Sequence, residues 1–201
     1  MNLRSMPRWI RCFWVLVFVS LVGPTGFAEQ VKLPFYVYED AQSKKNHFTP
    51  SGWMGDWGDL ELKDVEENPH SGSSSIKIIY SGERTQGANW VGIYWQDPPN
   101  NWGSKPGGFD LTGARKLTFW ARGEKGAEKI DEMRVGGIPG EYFDSDVAYI
   151  GPIELKLEWT QYEIDLSGKD LVSIKGGFMW SAKAEDNPEG FVIYFDDIRY
   201  E

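Results

Sequence analysis

The sequence predicts an all-β fold, a β-sandwich or jelly roll of two antiparallel sheets, on three observations. Short runs rich in β-branched and aromatic residues recur along the chain, alternating in character as half-buried strands do. Turn-forming clusters separate them, among them Asn68-Pro-His-Ser-Gly-Ser, Asp97-Pro-Pro-Asn-Asn and Asp186-Asn-Pro-Glu-Gly. Beyond the first 28 residues, no stretch keeps a helical period for about three turns.

In chain order, residues 1–28 come first. Arg4, Arg8 and Arg11 precede an apolar run from Cys12 to Val22, and Gly26 and Ala28 occupy the two small positions of a cleavage site. The run is shorter than the about 20 residues that cross a bilayer. Residues 1–28 are therefore expected to be a signal peptide, and 29–201 a single β-sandwich domain with no membrane span after cleavage. The expected location is periplasmic or secreted. Cleavage removes the sole cysteine, Cys12, so neither a disulfide nor a thiol site is available afterwards. It also moves the formal charge from -9 to -12, because three arginines and no acid leave. So acidic a chain argues against nucleic acid as a partner. A neutral partner fits better.

Expected strands run through Leu33–Tyr38, Leu60–Lys63, Ser75–Tyr80, Trp90–Trp95 and Lys116–Arg122. Five more follow at Glu132–Val135, Ile153–Glu158, Tyr162–Leu166, Gly177–Ser181 and Phe191–Tyr200. Alternation divides each into two faces. Leu117, Phe119 and Ala121 form a core set, which turns Trp120 outward. Met133 and Val135 face in, so Glu132 and Arg134 face out. Val91, Ile93 and Trp95 face in, leaving Trp90 and Tyr94 outside. Placing Met179 inside leaves Phe178 and Trp180 outside. If these strands neighbour one another, one outer face carries Trp90, Tyr94, Trp120, Glu132, Arg134 and Trp180. A slip of one residue swaps the two sets of any strand.

Four segments carry a resemblance. Phe35-Tyr-Val-Tyr-Glu-Asp40 resembles the "FED" opening of many carbohydrate-binding modules, and His70-Ser-Gly-Ser-Ser-Ser-Ile-Lys77 resembles their "hSGxxSL" turn. Trp159-Thr-Gln-Tyr-Glu-Ile-Asp-Leu-Ser167 resembles their "WxxYxIDL" strand pair, and Phe191-Val-Ile-Tyr-Phe-Asp-Asp-Ile198 their last strand. In this order the chain resembles the galactose-binding-like β-sandwich of non-catalytic carbohydrate-binding modules, over nearly all of residues 29–201. The resemblance implies a structural calcium ion where the first and last strands meet. Glu39 or Asp40 would supply carboxylate oxygens, Asp196 another, and Ser71 and Gly72 backbone carbonyls. Calcium takes six to eight such oxygens. Asp196 is preferred to Asp197 because alternation places it with Tyr194 and Ile198, on a face where a carboxylate needs a partner.

The implied ligand is a neutral polysaccharide or oligosaccharide. Its flat C–H faces would stack on Trp90, Tyr94, Trp120 and Trp180, while Arg134 and Glu132 serve hydroxyls. The loop residues Trp53, Trp57 and Trp102 are placed at the rim, with Trp53 and Trp57 read as packing. Catalysis is not expected. Glu163 with Asp165 has only the spacing that any outward strand face provides, Asp144 with Asp146 sits in a loop, and two histidines leave little for a triad or zinc site. The other reading is a structural or assembly module docking a cell-envelope protein through the same face. A flat apolar patch would favour that reading, and a groove with polar groups between the rings would favour a glycan.

Overall fold

The computed structural model describes residues 30–201, so the signal peptide expected at 1–28 lies outside the described residues. In chain order the strands are β1 (Phe35–Tyr38), β2 (Thr49–Gly55), β3 (Leu60–Val65), β4 (Ser75–Tyr80), β5 (Trp90–Gln96) and β6 (Lys116–Gly123). They continue with β7 (Lys129–Ile130), β8 (Glu132–Gly136), β9 (Val147–Ile150), β10 (Ile153–Glu154), β11 (Thr160–Asp165), β12 (Gly176–Lys183) and β13 (Phe191–Tyr200). One 3-10 turn, Trp57–Asp59, separates β2 from β3. Two of these strands, β2 and β9, lie in stretches rich in Gly, Ser, Pro or Asp whose alternation is too weak to announce them.

The expected sandwich is what forms. One sheet has the order β11-β6-β13-β4-β3, with β1 also paired to β13. The other has the order β2-β5-β12-β8-β9, and β10 and β7 make a small separate pair. Every pairing between named strands is antiparallel. Facing side chains fill the space between the sheets, as sandwiches require. At its centre Phe178 meets Trp95, Phe119 and Phe195 at ring-centroid distances of 5.5, 5.3 and 5.6 Å. Val91, Ile93, Leu117, Ala121, Met133 and Val135 are buried with them, on the faces that alternation gave.

Strand β12 corrects the reading. Phe178, Trp180 and Ala182 belong to the core, and Trp180 is 0% exposed, against Phe191 at 5.9 Å. Met179, Ser181 and Lys183 take the outer face. Three consecutive apolar residues fit either face, so the register of β12 differs by one residue from the expected one. The polar pair Ser181 and Lys183, which shares its parity with Met179, marks the true outer face.

The last strand holds a second correction. A bulge falls between Asp196 and Arg199, with Asp197 at φ 47. It resets the alternation, so Ile198 and Tyr200 enter the core while Tyr194 and Asp196 stay on the outer face of the six-stranded sheet. Asp196 is nonetheless buried, under the 70–74 loop, whose His70 and Ser71 amides it accepts from.

Candidate functional site

Five strands of the second sheet project alternate side chains outward, and their register sets these in rows across the strands. One row runs Gly52, Tyr94, Met179, Arg134, Tyr149, from β2 through β5, β12 and β8 to β9. The next runs Met54, Gly92, Ser181, Glu132. A third pairs Trp90 with Lys183. The middle row is low, because Gly92 has no side chain and Ser181 a short one. A Cβ on Gly92 would stand 2.7 Å from the Trp180 carbonyl oxygen and 3.0 Å from Met54 Cε, so only glycine fits there. The result is a shallow trough along this row, flanked by Trp90 and Lys183 on one side and by Tyr94, Met179 and Arg134 on the other; Met54 lies over the buried Gly92, and Tyr94 and Met179 are each 5% exposed. Strands lie about 4.8 Å apart, so the four that the row crosses give it a length of about 14 Å.

The walls are firmly held. Tyr94 is buried, donates its hydroxyl to the Gly136 carbonyl at 2.8 Å, and packs with Ile138 and Met179. Burial pushes its phenol up to about 12, so it stays a neutral hydrogen-bonding group at any ordinary pH. Trp90 is 38% exposed, its ring lying over the backbone of Gly55, where a Cβ would come within 3.1 Å of it. A cavity of about 420 Å³ opens beside Trp90, bordered by Arg84, Asn89, Asp131, Ser181 and Lys183. Charges in the trough are paired. Lys183 Nζ reaches Asp131 at 2.6 Å, and Arg134 Nε donates to Glu132. That hydrogen bond holds the Arg134 guanidinium still further toward its charged form. On a chain of net charge -9, this trough is close to neutral.

Four of the six residues picked as ligand contacts, Trp90, Tyr94, Glu132 and Arg134, therefore meet on one face. Two do not. Trp180 is in the core. Trp120 does face outward, but from β6 in the opposite sheet, where its cross-strand partners are Gln161 and Asp196. There the His70 ring covers it, stacked at 3.7 Å with an interplanar angle of 14°. Beside them Arg122 lies 3.7 Å over the Tyr194 ring, and Trp159 donates its indole N–H to the Asn68 carbonyl. This face is closed by its own loop. The same face also carries Met54, Asp131, Met179, Ser181, Lys183 and Tyr149, which are not among the expected contacts. Lys183 and Ser181 were recoverable from the β12 parity, whereas Tyr149 required knowing that β9 exists.

Of the residues expected to bind calcium, Asp40 and Asp196 both hold the loop that carries Ser71 and Gly72, and Glu39 stands apart. Glu39 accepts from Lys45 Nζ at 2.5 Å and Ser43 Oγ at 2.6 Å, and these bonds hold its carboxyl below the usual range. Asp40 caps the turn instead. Burial raises its carboxyl, but the amides and hydroxyls of Ser73 and Ser74, all on Oδ1, outweigh this and hold it low. Asp196 accepts the amides of His70, Ser71 and Asp197, while burial pushes it up to about 7. The 70–71 loop points N–H groups at Asp196, where a cation would need oxygens, whereas Asp40 Oδ2 accepts no hydrogen bond from the described residues. Among the described residues, no group of three or more acidic, histidine or cysteine side chains stands ready for a metal. The loop carboxylate Asp144 is likewise structural, accepting the amides of Ile138, Lys175 and Gly176.

Carbohydrate-binding modules are among the solved structures similar to this one. A family 30 module superposes with a TM-score of 0.57 at 15% identity, over 85% of this chain and 99% of that one. The family 30 module of a cellulosomal cellulase of Clostridium thermocellum gives 0.54 at 16% identity, over 85% and 98%. A family 11 module from the same organism, in complex with a β-1,3-1,4-mixed-linked tetrasaccharide, gives 0.50 at 15%, over 75% and 84%. No family model and no curated protein matches the sequence. The likeness is one of fold, and it agrees with the module-like order of the sequence motifs.

Proposed function

We propose that this is an exported, non-catalytic carbohydrate-binding protein that holds a neutral glycan in the trough of its five-stranded sheet. The observation that carries the reading is the trough itself: an exposed indole, Trp90, bordering a cavity with Ser181, beside two internally neutralised ion pairs. A sugar ring presents apolar C–H faces edged by hydroxyls, which matches an indole wall beside charged hydrogen-bonding groups. Cancelled charge favours a neutral polymer over an anionic one. Both trough carboxylates, Asp131 and Glu132, are committed to ion pairs, whereas hydrolysis needs one acid desolvated and unpaired. A trough with polar groups between its walls also suits a glycan better than a flat protein partner. Export rests on the character of residues 1–28. Among the described residues, no helix is long and apolar enough to cross a membrane.

β-Glucans are the first ligands to try, given the tetrasaccharide held by the family 11 module. The test is affinity electrophoresis against soluble β-glucan, xylan and galactomannan. Retention on at least one, lost in Trp90→Ala and kept in Trp120→Ala, supports the reading. A folded protein retained by none of them sinks it.

A further inference from the structure

We infer that the edge of the sandwich holds a second sugar subsite, a cleft of about 530 Å³ between the exposed rings of Trp57 and Trp102 with Trp53 at its side. This rests on the trough reading and extends it: the glycan chain leaving the trough continues into this cleft. Three features of the cleft point to a sugar. It is lined by Trp, Ser51, Asn100, Gly58 and Leu60 and by no charged residue, on a chain of net charge -9. Its two exposed indoles, Trp57 at 55% and Trp102 at 42%, stand on locked segments. Trp57 follows Asp56, which is fully buried and accepts the amides of Ala88 and Asn89 at 2.8 and 2.7 Å. Asp59, two residues further, accepts the amide and hydroxyl of Thr85 at 2.9 and 2.6 Å. Trp102 follows Asn101, also fully buried, whose side chain donates to the Lys105 carbonyl and accepts the Gly103 amide. Buried polar anchors spent on holding indoles in water make a preorganised apolar surface, which lowers the ordering cost of a ligand.

The third feature is continuity. Trp102 meets Tyr94, a wall of the trough, edge to face at 5.8 Å. Ser51 Oγ donates to Gln96 Oε1 at 3.0 Å and accepts the Asn100 amide, so the cleft is joined to the outer face of β5. The occupant is therefore the same neutral chain, and only a long oligosaccharide reaches both places.

The test follows the indole N–H signals of Trp90, Trp57 and Trp102 by NMR while the protein is titrated with β-1,3-1,4-glucan, xylan and galactomannan, then with trisaccharide and octasaccharide fragments of whichever binds. All three signals should shift with the octasaccharide, but only that of Trp90 with the trisaccharide. Trp57→Ala, which removes a mostly solvent-facing ring, should weaken the octasaccharide about 10-fold, as stacking on one indole implies. It should leave the trisaccharide unchanged. If Trp90 responds while Trp57 and Trp102 never do, the cleft is no subsite and the trough stands. If Trp57 and Trp102 respond without Trp90, the cleft binds alone and both the continuity and the trough reading fall. If no indole responds to any polysaccharide, the trough and the cleft fail together.

Discussion

Truncating Trp90 to alanine separates recognition from folding. The residue shows 38% of its surface, and a large aromatic side chain carries roughly 250 Å² at most, so about 95 Å² is offered to a ligand. Covering half to all of that area at about 25 cal/mol per Å² contributes about 1.2 to 2.4 kcal/mol. Trp90→Ala should therefore weaken glycan binding about 7- to 50-fold. The covered part of the ring rests on the Gly55 backbone rather than in the core, so the variant should melt as one cooperative unit at a modestly lower temperature. Isothermal titration calorimetry with the retained polysaccharide, well below the melting temperature, reads the first number, and a thermal melt reads the second. Unchanged affinity in a folded Trp90→Ala protein would refute the argument, because the one exposed indole of the trough would then touch nothing.

Trp180→Ala should behave in the opposite way, costing about 3–5 kcal/mol of stability for a fully buried ring, with unchanged affinity in whatever remains folded. Trp180→Phe should cost much less, since the indole Nε1 has no partner to lose; a stable Trp180→Ala protein that binds nothing would restore the outward orientation. The pH dependence should carry the mark of Asp196. Its folded pKa, about 7, lies above the ordinary 3.8, so its contribution to stability is complete below about pH 4 and is lost as pH rises through 7. Thermal melts between pH 5 and pH 8 should show this downward slope in the wild type and not in Asp196→Asn; equal slopes would contradict it. Millimolar calcium should leave the melting temperature unchanged, as should EDTA, because the 70–71 loop turns amides rather than carbonyls toward Asp196. A rise of several degrees with calcium would mean that the 70–74 loop turns its carbonyls inward to a cation.

Where one face of a strand was plainly apolar, the sequence was sufficient. Leu117, Phe119 and Ala121 alternate with Thr118, Trp120 and Arg122, and the core takes the first set. In β12 the run Phe178-Met-Trp180 satisfies either face, so only its polar continuation carries the register. Trp120 failed for a different reason. Alternation says which way a side chain points from its strand but not which sheet the strand joins, and β6 pairs with β11 and β13 through non-local contacts. The calcium expectation followed motifs whose residue types are present, while the orientation of the 70–71 amides is decided by the loop and the Asp196–Arg199 bulge. Trp57 and Trp102 lie among glycines and prolines; the exposure of Trp57 depends on a distant anchor, Asp56 to Ala88, that no local pattern encodes, and that of Trp102 on a side-chain bond within its own loop, Asn101 to Lys105.

The two outer faces make opposite claims, and backbone amide shift mapping with saturating polysaccharide tests them together. The perturbed amides should cluster along Trp90–Tyr94, Met179–Lys183 and Glu132–Arg134, with β6 and β13 silent. Perturbations centred on Trp120, Asp196 and the 70–74 loop would place the ligand on the opposite sheet and contradict the account.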